Sequence, residues 1–410
     1  MSSERYIYVL AGMISLLAVG WRGSISIFYQ YFMDIYGVES VTQVAVYVAI
    51  ASGIGVVASP LFGALYDRKG PSIPLVISAV AQVASGALAL FMKSRPWSEA
   101  MWFWYSAAAA AGLVFPSVAT SVNPTVMKAI RSSPQVALAF TQSGSYISLT
   151  LWSPVITYLI LSAGLVEAYL VASLITATAL LLCSVTYRKM KPRGTRMRAE
   201  KAVGGGSEWR VYIVMLISIF LIAASSITIL SYLAPIASEV CLRSGVSREE
   251  CVQVYAPTAM SIAGVTQSVG GFFWAFLAAR APILTAISAL YVVQATSSLA
   301  VVVLSGSGSW LALLALLLRL FAFGGEPVLH MVLIPALLGE DKVGKALGLQ
   351  MSVVMLSSIV GPSVGGILRD ISGSYIPTVA GSATLTTSAF LPLLLVTRSL
   401  VGRSVRSTER

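Results

Sequence analysis

Long apolar segments follow one another along almost the whole chain and are separated by short polar connections. A helix that crosses a bilayer needs roughly 20 apolar residues, because its backbone polar groups meet no water there and must bond within the helix. Only 10% of the residues are charged, against about 25% in soluble domains. The pattern predicts an all-α membrane protein with twelve transmembrane helices, at residues 6–33, 41–66, 73–92, 101–125, 134–161, 164–187, 209–238, 252–279, 283–304, 310–338, 346–369 and 375–397.

One polar segment, residues 188–208, divides the chain into halves of similar length. It holds seven basic side chains and ends in a glycine run. Such a segment is typical of a cytoplasmic linker between two membrane bundles, and its charge also suits contact with membrane lipid. We therefore expect an N-terminal six-helix bundle at 1–187, a C-terminal six-helix bundle at 209–397 and a cytoplasmic tail at 398–410.

Lysine and arginine are distributed unevenly between the predicted loops. With the N-terminus inside, the cytoplasmic pieces hold most basic residues, and the other side holds only Lys93, Arg95, Arg243, Arg248 and Arg369. The positive-inside rule then predicts a multi-pass protein of the cell membrane with both termini in the cytoplasm. The same rule accounts for the net charge of +11, so we expect no nucleic-acid partner.

The two halves carry similar motifs at a common offset of about 210 residues. Two duplicated halves of six helices are typical of a transporter in which one bundle rocks against the other. The matched pairs are Arg68 and Arg280, Pro116 and Pro327, and Pro154 and Pro362.

The connection between predicted helices 2 and 3 runs Gly63-Ala-Leu-Tyr-Asp67-Arg68-Lys69-Gly70 and resembles the loop signature of the major facilitator superfamily. Gly63 allows two helices to approach closely, and the charge of Asp67 is favoured at a helix N-terminus. The resemblance implies that Gly63, Asp67, Arg68 and Gly70 gate the conformational change. Pro71 and Ser72 stand where the signature usually has further basic residues.

Three longer stretches, at 26–38, 112–144 and 346–375, resemble the monocarboxylate transporter and oxalate/formate antiporter group of that superfamily. The resemblance implies proton-coupled or exchange transport of small carboxylates. Members usually hold the carboxylate with a cationic residue in helix 8, but residues 252–279 carry no charge here. Some members place a lysine in helix 11, near the position of Gln350.

Four ionisable residues lie well inside predicted helices: Arg22 in helix 1, and Arg319, Glu326 and His330 in helix 10. A charge at the bilayer centre costs at least ~2.5–3.5 kcal/mol, so each should face a cavity or a partner. Spacings of seven and four residues put the three residues of helix 10 on one face.

We expect Arg22 and Arg319 to bind a carboxylate through charge-assisted hydrogen bonds, and Glu326, with His330, to couple transport to protons. The alternative is that both arginines form static pairs with Glu326, and that His330 only packs. Gly324, Gly325 and Pro327 should weaken helix 10. Further candidates for a polar cavity lining are Tyr29, Asn123, Gln142, Tyr146, Tyr232, Gln267 and Gln350.

These features predict a monomeric secondary transporter that moves a small organic anion by alternating access with protons. Alternatives are a carrier of a neutral or cationic solute, including drug efflux, a carboxylate exchanger without proton coupling, and a sensor on a transporter fold. The sequence contains no HExxH, GxSxG or Walker pattern, so we do not expect an enzyme, and we expect no cofactor. Three Cys and one His are too few for a metal cluster. Cys241 and Cys251 flank one loop and either pair or stay free.

Overall fold

The computed structural model describes residues 6–38, 40–130, 132–188, 207–305, 310–338 and 343–396. The regular structure in these ranges is helical, and twelve helices are long and apolar enough to cross a membrane. The predicted fold class, with twelve spanning helices, is confirmed. The predicted linker lies almost wholly outside the described residues, and the predicted tail lies entirely outside them.

Six helices belong to the first half of the chain. They are α1 (Tyr6–Val19, a 3-10 turn Gly20–Ser24, and Ile25–Tyr36), α2 (Val41–Lys69), α3 (Ser72–Leu90), α4 (Trp97–Ala111 and Val114–Ala129), α5 (Pro134–Ala163) and α6 (Leu165–Arg188).

Six more follow in the second half. They are α7 (Ser207–Ser231 and Leu233–Arg243), α8 (Arg248–Glu250, a π-helical turn Cys251–Tyr255, and Ala256–Arg280), α9 (Ile283–Ser305), α10 (Trp310–Leu338), α11 (Val343–Ser372) and α12 (Ile376–Ser388, with the span continuing to Val396).

The two halves meet mainly along two pairs of helices. Helix α2 packs against α11, and α5 packs against α8. Within the halves, α3 packs on α6 and α1 on α5, while α9 packs on α10 and α7 on α11. The remaining faces of the central helices enclose a cavity between the halves.

Glycines set the close crossing of α8 and α10. A Cβ atom on Gly270 would overlap the carbonyl oxygen of Phe321, and one on Gly324 would overlap the carbonyl oxygen of Gln267. Small residues allow such backbone contact inside a membrane. Helix α10 runs without interruption through Pro327, so the predicted weakening of helix 10 is not visible as a break. Its Gly324 instead lets α8 approach.

The interruptions occur in the first helix of each half. Helix α1 tightens into the 3-10 turn Gly20–Ser24, and α7 is interrupted at Tyr232. The two positions differ by about 210 residues, the offset of the sequence repeat. Discontinuous helices near the midplane are where transporters of this architecture build their binding sites.

Polar contacts join the two halves on the far side, which we define as the membrane face opposite to the N-terminus. Arg248 forms an ion pair of 2.7 Å with Asp34. The carboxylate of Asp370 accepts hydrogen bonds from Ser40 (3.0 Å) and Thr42 (2.6 Å). These contacts tie α1 and α2 to α8 and α11.

The loop that carries Arg248 is closed by a disulfide bond between Cys241 and Cys251. Of the two possibilities for these cysteines, the structure therefore contains the paired one. The loop connects α7 to α8 on the far side.

Candidate functional site

A cavity of about 290 Å³ lies between the two halves. Eight helices line it: α1, α2, α4 and α5 from the first half, and α7, α8, α10 and α11 from the second. Most of its wall is apolar, with Leu16, Phe115, Phe323 and Met355 among the lining side chains. The larger polar side chains on the wall are Arg22, Tyr47, Asn123, Gln142, Tyr146, Gln267, Glu326, His330 and Gln350.

Arg22 projects from the 3-10 turn of α1. Its NH1 group donates to the carbonyl oxygen of Ala111 at 2.7 Å, and its NH2 group donates to Oε1 of Gln82. The Nε atom is buried without a protein partner, and Arg22 forms no salt bridge with the described residues. A positive charge held by neutral acceptors at a cavity wall favours an anionic ligand.

Gln82 positions that arginine from α3. It is fully buried, and its Nε2 atom donates to Ser173 on α6 at 2.8 Å. Gln82 was not among the predicted site residues. Its signal is that it is the one carboxamide in the predicted helix 73–92, and a buried side-chain amide needs partners.

Glu326 lies on α10 on the opposite wall. One oxygen, Oε2, accepts hydrogen bonds from Ser226 on α7 (2.9 Å) and Gln294 on α9 (3.2 Å). Within the described part of the chain, Oε1 has no hydrogen-bond donor and the carboxylate has no salt-bridge partner. The alternative, in which both arginines form static pairs with Glu326, is therefore not what the structure shows. Ser226 and Gln294 were not among the predicted site residues.

His330 lies one turn after Glu326 and lines the same cavity. Its Nε2 atom is 3.1 Å from the hydroxyl of Tyr291 on α9, which also accepts from Ser218 at 3.2 Å. The side chain is only 3% exposed. Glu326 and His330 thus form a short column of proton-binding groups along one face of α10.

Four carboxamides are among the neutral polar groups of the cavity wall. Gln142 donates to Asn123 at 2.9 Å, yet Nδ2 of Asn123, both polar atoms of Gln267 and Oε1 of Gln350 are buried without a protein partner. Buried polar atoms normally find partners, and here they surround a cavity. A polar ligand that donates and accepts hydrogen bonds would satisfy them.

Two tyrosines link the cavity wall to neighbouring helices. Tyr146 on α5 donates to the carbonyl oxygen of Gly324 on α10 at 2.9 Å. The hydroxyl of Tyr47 is 2.6 Å from that of Tyr169, which lies 2.7 Å from Ser85. Tyr146 therefore joins the two halves beside the site.

Three predicted lining residues lie elsewhere, and the expectation that they face the cavity is wrong. Arg319 is in the interior of the second half, where it donates to Ser225 and Ser226. Tyr29 is buried in the packing beyond the α1 turn. Tyr232 donates to the carbonyl oxygen of Pro362 at 2.6 Å. Helix rotation, which the sequence leaves open, decides these placements.

The predicted gating residues lie at the end of α2, away from the cavity. Asp67 stands in the last turn of α2, so the expectation of a helix N-terminus at this residue is wrong for α2. Gly70 has φ +79° and its N–H bonds the carbonyl oxygen of Tyr66 at 2.8 Å, which ends the helix. A gating role for Gly63, Asp67, Arg68 and Gly70 stays a prediction.

Comparison with protein families decides the class of this protein. The model of the Major Facilitator Superfamily matches residues 134–362, which is more than half of the chain. The chain belongs to the major facilitator superfamily. Its members are transporters, so this facilitator is a multi-pass membrane protein that moves a small molecule. A comparison with curated protein sequences finds no significant match.

Solved structures with the same fold include the E. coli fucose:proton symporter FucP and a second structure, of the transporter FucP in the outward conformation. Each has a TM-score of 0.65 at 16% identity, and they cover 96% and 95% of this chain and 99% and 97% of their own. A bacterial homolog of the human lysosomal transporter Spinster, inward-facing and occupied, has a TM-score of 0.64 at 13% identity, with coverage of 97% and 98%. These likenesses concern the facilitator fold.

Proposed function

We propose that this facilitator is a secondary active transporter that moves a small organic anion, similar to a monocarboxylate, together with a proton. The observation that carries the proposal is the pair of opposite charges on the cavity wall. Arg22 from the first half and Glu326 from the second both line the cavity, and neither has a salt-bridge partner among the described residues.

Arg22 is the anion-binding group in this proposal. The free Nε atom and the positive charge attract a carboxylate. When Glu326 is protonated, binding of the anion removes the net positive charge that Arg22 gives the cavity. Asn123, Gln142, Gln267 and Gln350 supply hydrogen bonds to the rest of the ligand. Arg319 has no role in anion binding, because it does not line the cavity.

Glu326 is the proton-coupling group. Its Oε1 atom is not engaged by the described residues, so a proton can be held there, and His330 offers a second proton site one turn away. With the anion on Arg22 and a proton on Glu326, the cavity carries no net charge. The neutral cavity is the state in which the two halves rock, since moving charge through the membrane is costly.

We also propose where the protein is located and which of its helices move during transport. The protein lies in the cell membrane with both termini in the cytoplasm, acts as a monomer, and moves its two six-helix halves, joined by the linker at 188–208, as bundles. Gly63, Asp67, Arg68 and Gly70 act as a gate on the side of the termini. Proton coupling fits a fold that also serves a fucose:proton symporter.

A carrier of a neutral polar solute is the second candidate. Two of the three nitrogen groups of Arg22 are already engaged by Ala111 and Gln82, and the unpartnered amides need no charged ligand. In that case Arg22 stabilises the turn of α1 and binds nothing. A carboxylate exchanger without proton coupling and a carrier of cations, including drugs, are the remaining alternatives.

Uptake into proteoliposomes distinguishes these functions. Labelled formate, acetate, lactate and pyruvate are offered with and without an inward proton gradient, and protein-free liposomes correct for passive diffusion of the acids. We expect wild type to take up at least one acid faster with the gradient. Arg22→Gln abolishes that uptake, and Glu326→Gln removes its dependence on the gradient while exchange persists.

Arg95→Gln is the matched control, because Arg95 is an exposed arginine paired with Glu99 in the neighbouring turn. It should transport like wild type. No uptake of any acid, or equal uptake by wild type and Arg22→Gln, contradicts the proposal. Gradient-independent uptake by wild type that Glu326→Gln leaves unchanged favours the exchanger.

A further inference from the structure

Arg319 lies one hydroxyl group away from Glu326. The NH2 group of Arg319 donates to Ser226 at 3.2 Å, and Ser226 in turn donates to Oε2 of Glu326 at 2.9 Å. These two hydrogen bonds place the guanidinium within about 6 Å of the carboxylate. Ser226 therefore connects a charge in the interior of the second half to a carboxylate on the cavity wall.

The environment of Arg319 contains no direct counter-charge in the described part of the chain. The side chain is 2% exposed, and its Nε and NH1 atoms have no protein partner there. Its remaining contact is with Ser225, at 2.7 Å. A buried charge without a partner costs several kcal/mol, so Arg319 depends on the carboxylate that it reaches through Ser226.

Arg319 and Glu326 differ in whether their charge can change. Arginine stays protonated in proteins, whereas a carboxylate gains and loses its proton. When Glu326 is ionised, Ser226 accepts from a cation and donates to an anion, so the chain of hydrogen bonds is polarised in one direction. When Glu326 takes up a proton, Arg319 loses its counter-charge.

We propose that Arg319 is a positioning residue that acts through Ser226 to set the pH range in which Glu326 takes up the coupling proton, without binding the substrate. The proposal rests on the proposed function, in which Glu326 couples transport to protons. A nearby cation favours the ionised carboxylate, so Arg319 shifts proton uptake by Glu326 to lower pH.

Charged and titratable groups other than Arg319 also lie near Glu326 and can affect its protonation. The described side chains that α7, α8 and α11 present to the cavity are uncharged, among them Ser231, Gln267 and Gln350. Among the described side chains, the other titratable groups near Glu326 are His330 on its own helix, Tyr291 on α9 and Tyr146 on α5. Arg22 and Tyr47 line the same cavity. None of these five side chains is itself changed when Arg319 or Ser226 is replaced.

Infrared titration of the purified full-length protein tests the proposal without any substrate. A protonated carboxyl group has its own carbonyl band, and the band that disappears in Glu326→Gln belongs to Glu326. We expect Arg319→Met and Ser226→Ala to move the midpoint of this band upward by about one pH unit, a tenfold change in proton concentration. Arg319→Lys keeps the charge and should stay closer to wild type.

Ser225→Ala is the matched control. Ser225 adjoins Ser226 and also accepts a hydrogen bond from Arg319. Its hydrogen-bond partners among the described residues do not include Glu326. We expect its midpoint to stay near that of wild type. Thermal unfolding of each variant shows that it is folded, and Arg319→Gln, which removes the charge but keeps hydrogen-bond donors, keeps the test open if Arg319→Met does not fold.

Two results overturn the proposal. One is an unchanged midpoint in folded Arg319→Met and Ser226→Ala, which means that Arg319 only stabilises the bundle. The other is the absence of any titrating band that depends on Glu326. Uptake separates a third role, since a substrate-binding Arg319 would raise KM at every pH when replaced, and we expect KM to be unchanged at low pH.

Failure of the proposed function looks different. If wild type takes up no carboxylate, the anion proposal fails while the infrared midpoints still report whether Arg319 acts on Glu326. If wild type transports a carboxylate with a proton gradient but the midpoints of all variants agree, only the role of Arg319 is overturned.

Discussion

At the scale of single residues, the two intramembrane arginines show how differently one side-chain type is used. Arg22 lines the cavity and is held by a carbonyl oxygen and the amide of Gln82. Arg319 is enclosed in the second half and reaches the cavity only through Ser226. The cost of burying a charge predicts that each arginine needs a partner. It does not predict whether that partner is a backbone carbonyl, an amide, a hydroxyl or a ligand.

Gln82 offers a test of Arg22 from outside the cavity. Gln82→Glu keeps the size of the side chain but places a carboxylate on the NH2 group of Arg22, which neutralises its charge. We expect KM for the transported carboxylate to rise more than about tenfold, since a charge-assisted hydrogen bond contributes about 1.5–3 kcal/mol. The measurement is the concentration dependence of uptake in proteoliposomes.

The control for this change is Gln82→Leu, which removes the acceptor without adding a charge. Its KM should rise less than that of Gln82→Glu. Equal effects of the two variants would mean that the charge of Arg22 does not act on the ligand.

At the scale of helices, the site depends on how closely α8 and α10 cross. Gly270 and Gly324 each face the backbone of the other helix, and Glu326 follows Gly324 by two residues. The crossing thereby fixes the height and the rotation of the carboxylate at the cavity wall. The interruption of α1 at Gly20–Ser24 does the same for Arg22 on the other side.

Alanine at Gly324 should separate the two helices. The added methyl group would overlap the carbonyl oxygen of Gln267, and main chain cannot rotate away as a side chain can. Overpacking of this kind costs about 1–3 kcal/mol, so we expect Gly324→Ala to lower Tm in detergent and to reduce uptake.

Gly381→Ala is the comparison for that variant. Gly381 lies in α12, where a Cβ atom would meet the side chain of Leu368 at 3.6 Å, an ordinary contact. Its Tm should equal or exceed that of wild type, because alanine is the better helix former. A Tm of Gly324→Ala as high as that of Gly381→Ala would contradict the role of the crossing.

At the scale of the whole molecule, the contacts of charged side chains that join the two halves lie on the far side in the described part of the chain. Asp34 pairs with Arg248, and Asp370 accepts from Ser40 and Thr42. The disulfide between Cys241 and Cys251 closes the loop that holds Arg248. We expect these contacts to favour arrangements in which the far side is closed.

Asp370→Ala should open the far side more often. Exposed contacts of this kind contribute up to about 1 kcal/mol, which corresponds to at most about a fivefold shift between two states. A cysteine placed at Ser358, which lines the cavity, reports the change through its rate of labelling by a membrane-impermeant maleimide added from the far side. Cys183 is replaced by serine in all variants.

Glu99→Gln serves as the control, because Glu99 at the start of α4 pairs with Arg95 just before that helix and so joins no two halves. Its labelling rate should match that of the parent protein. Slower or unchanged labelling in Asp370→Ala would show that the contacts of Asp370 do not hold this side closed.

The sequence by itself determined the twelve spans and the all-α fold of this protein. These follow from the length and composition of each segment, because lipid admits only helices whose backbone bonds are internal. It also indicated that Arg22, Glu326 and His330 do not face lipid. Only the tertiary structure decided that Arg22 and Glu326 share a cavity while Arg319, Tyr29 and Tyr232 do not. Which face of a helix points inward depends on how the helix packs against its neighbours, for example through the backbone contact that Gly324 allows. The local composition of the helix does not specify those neighbours.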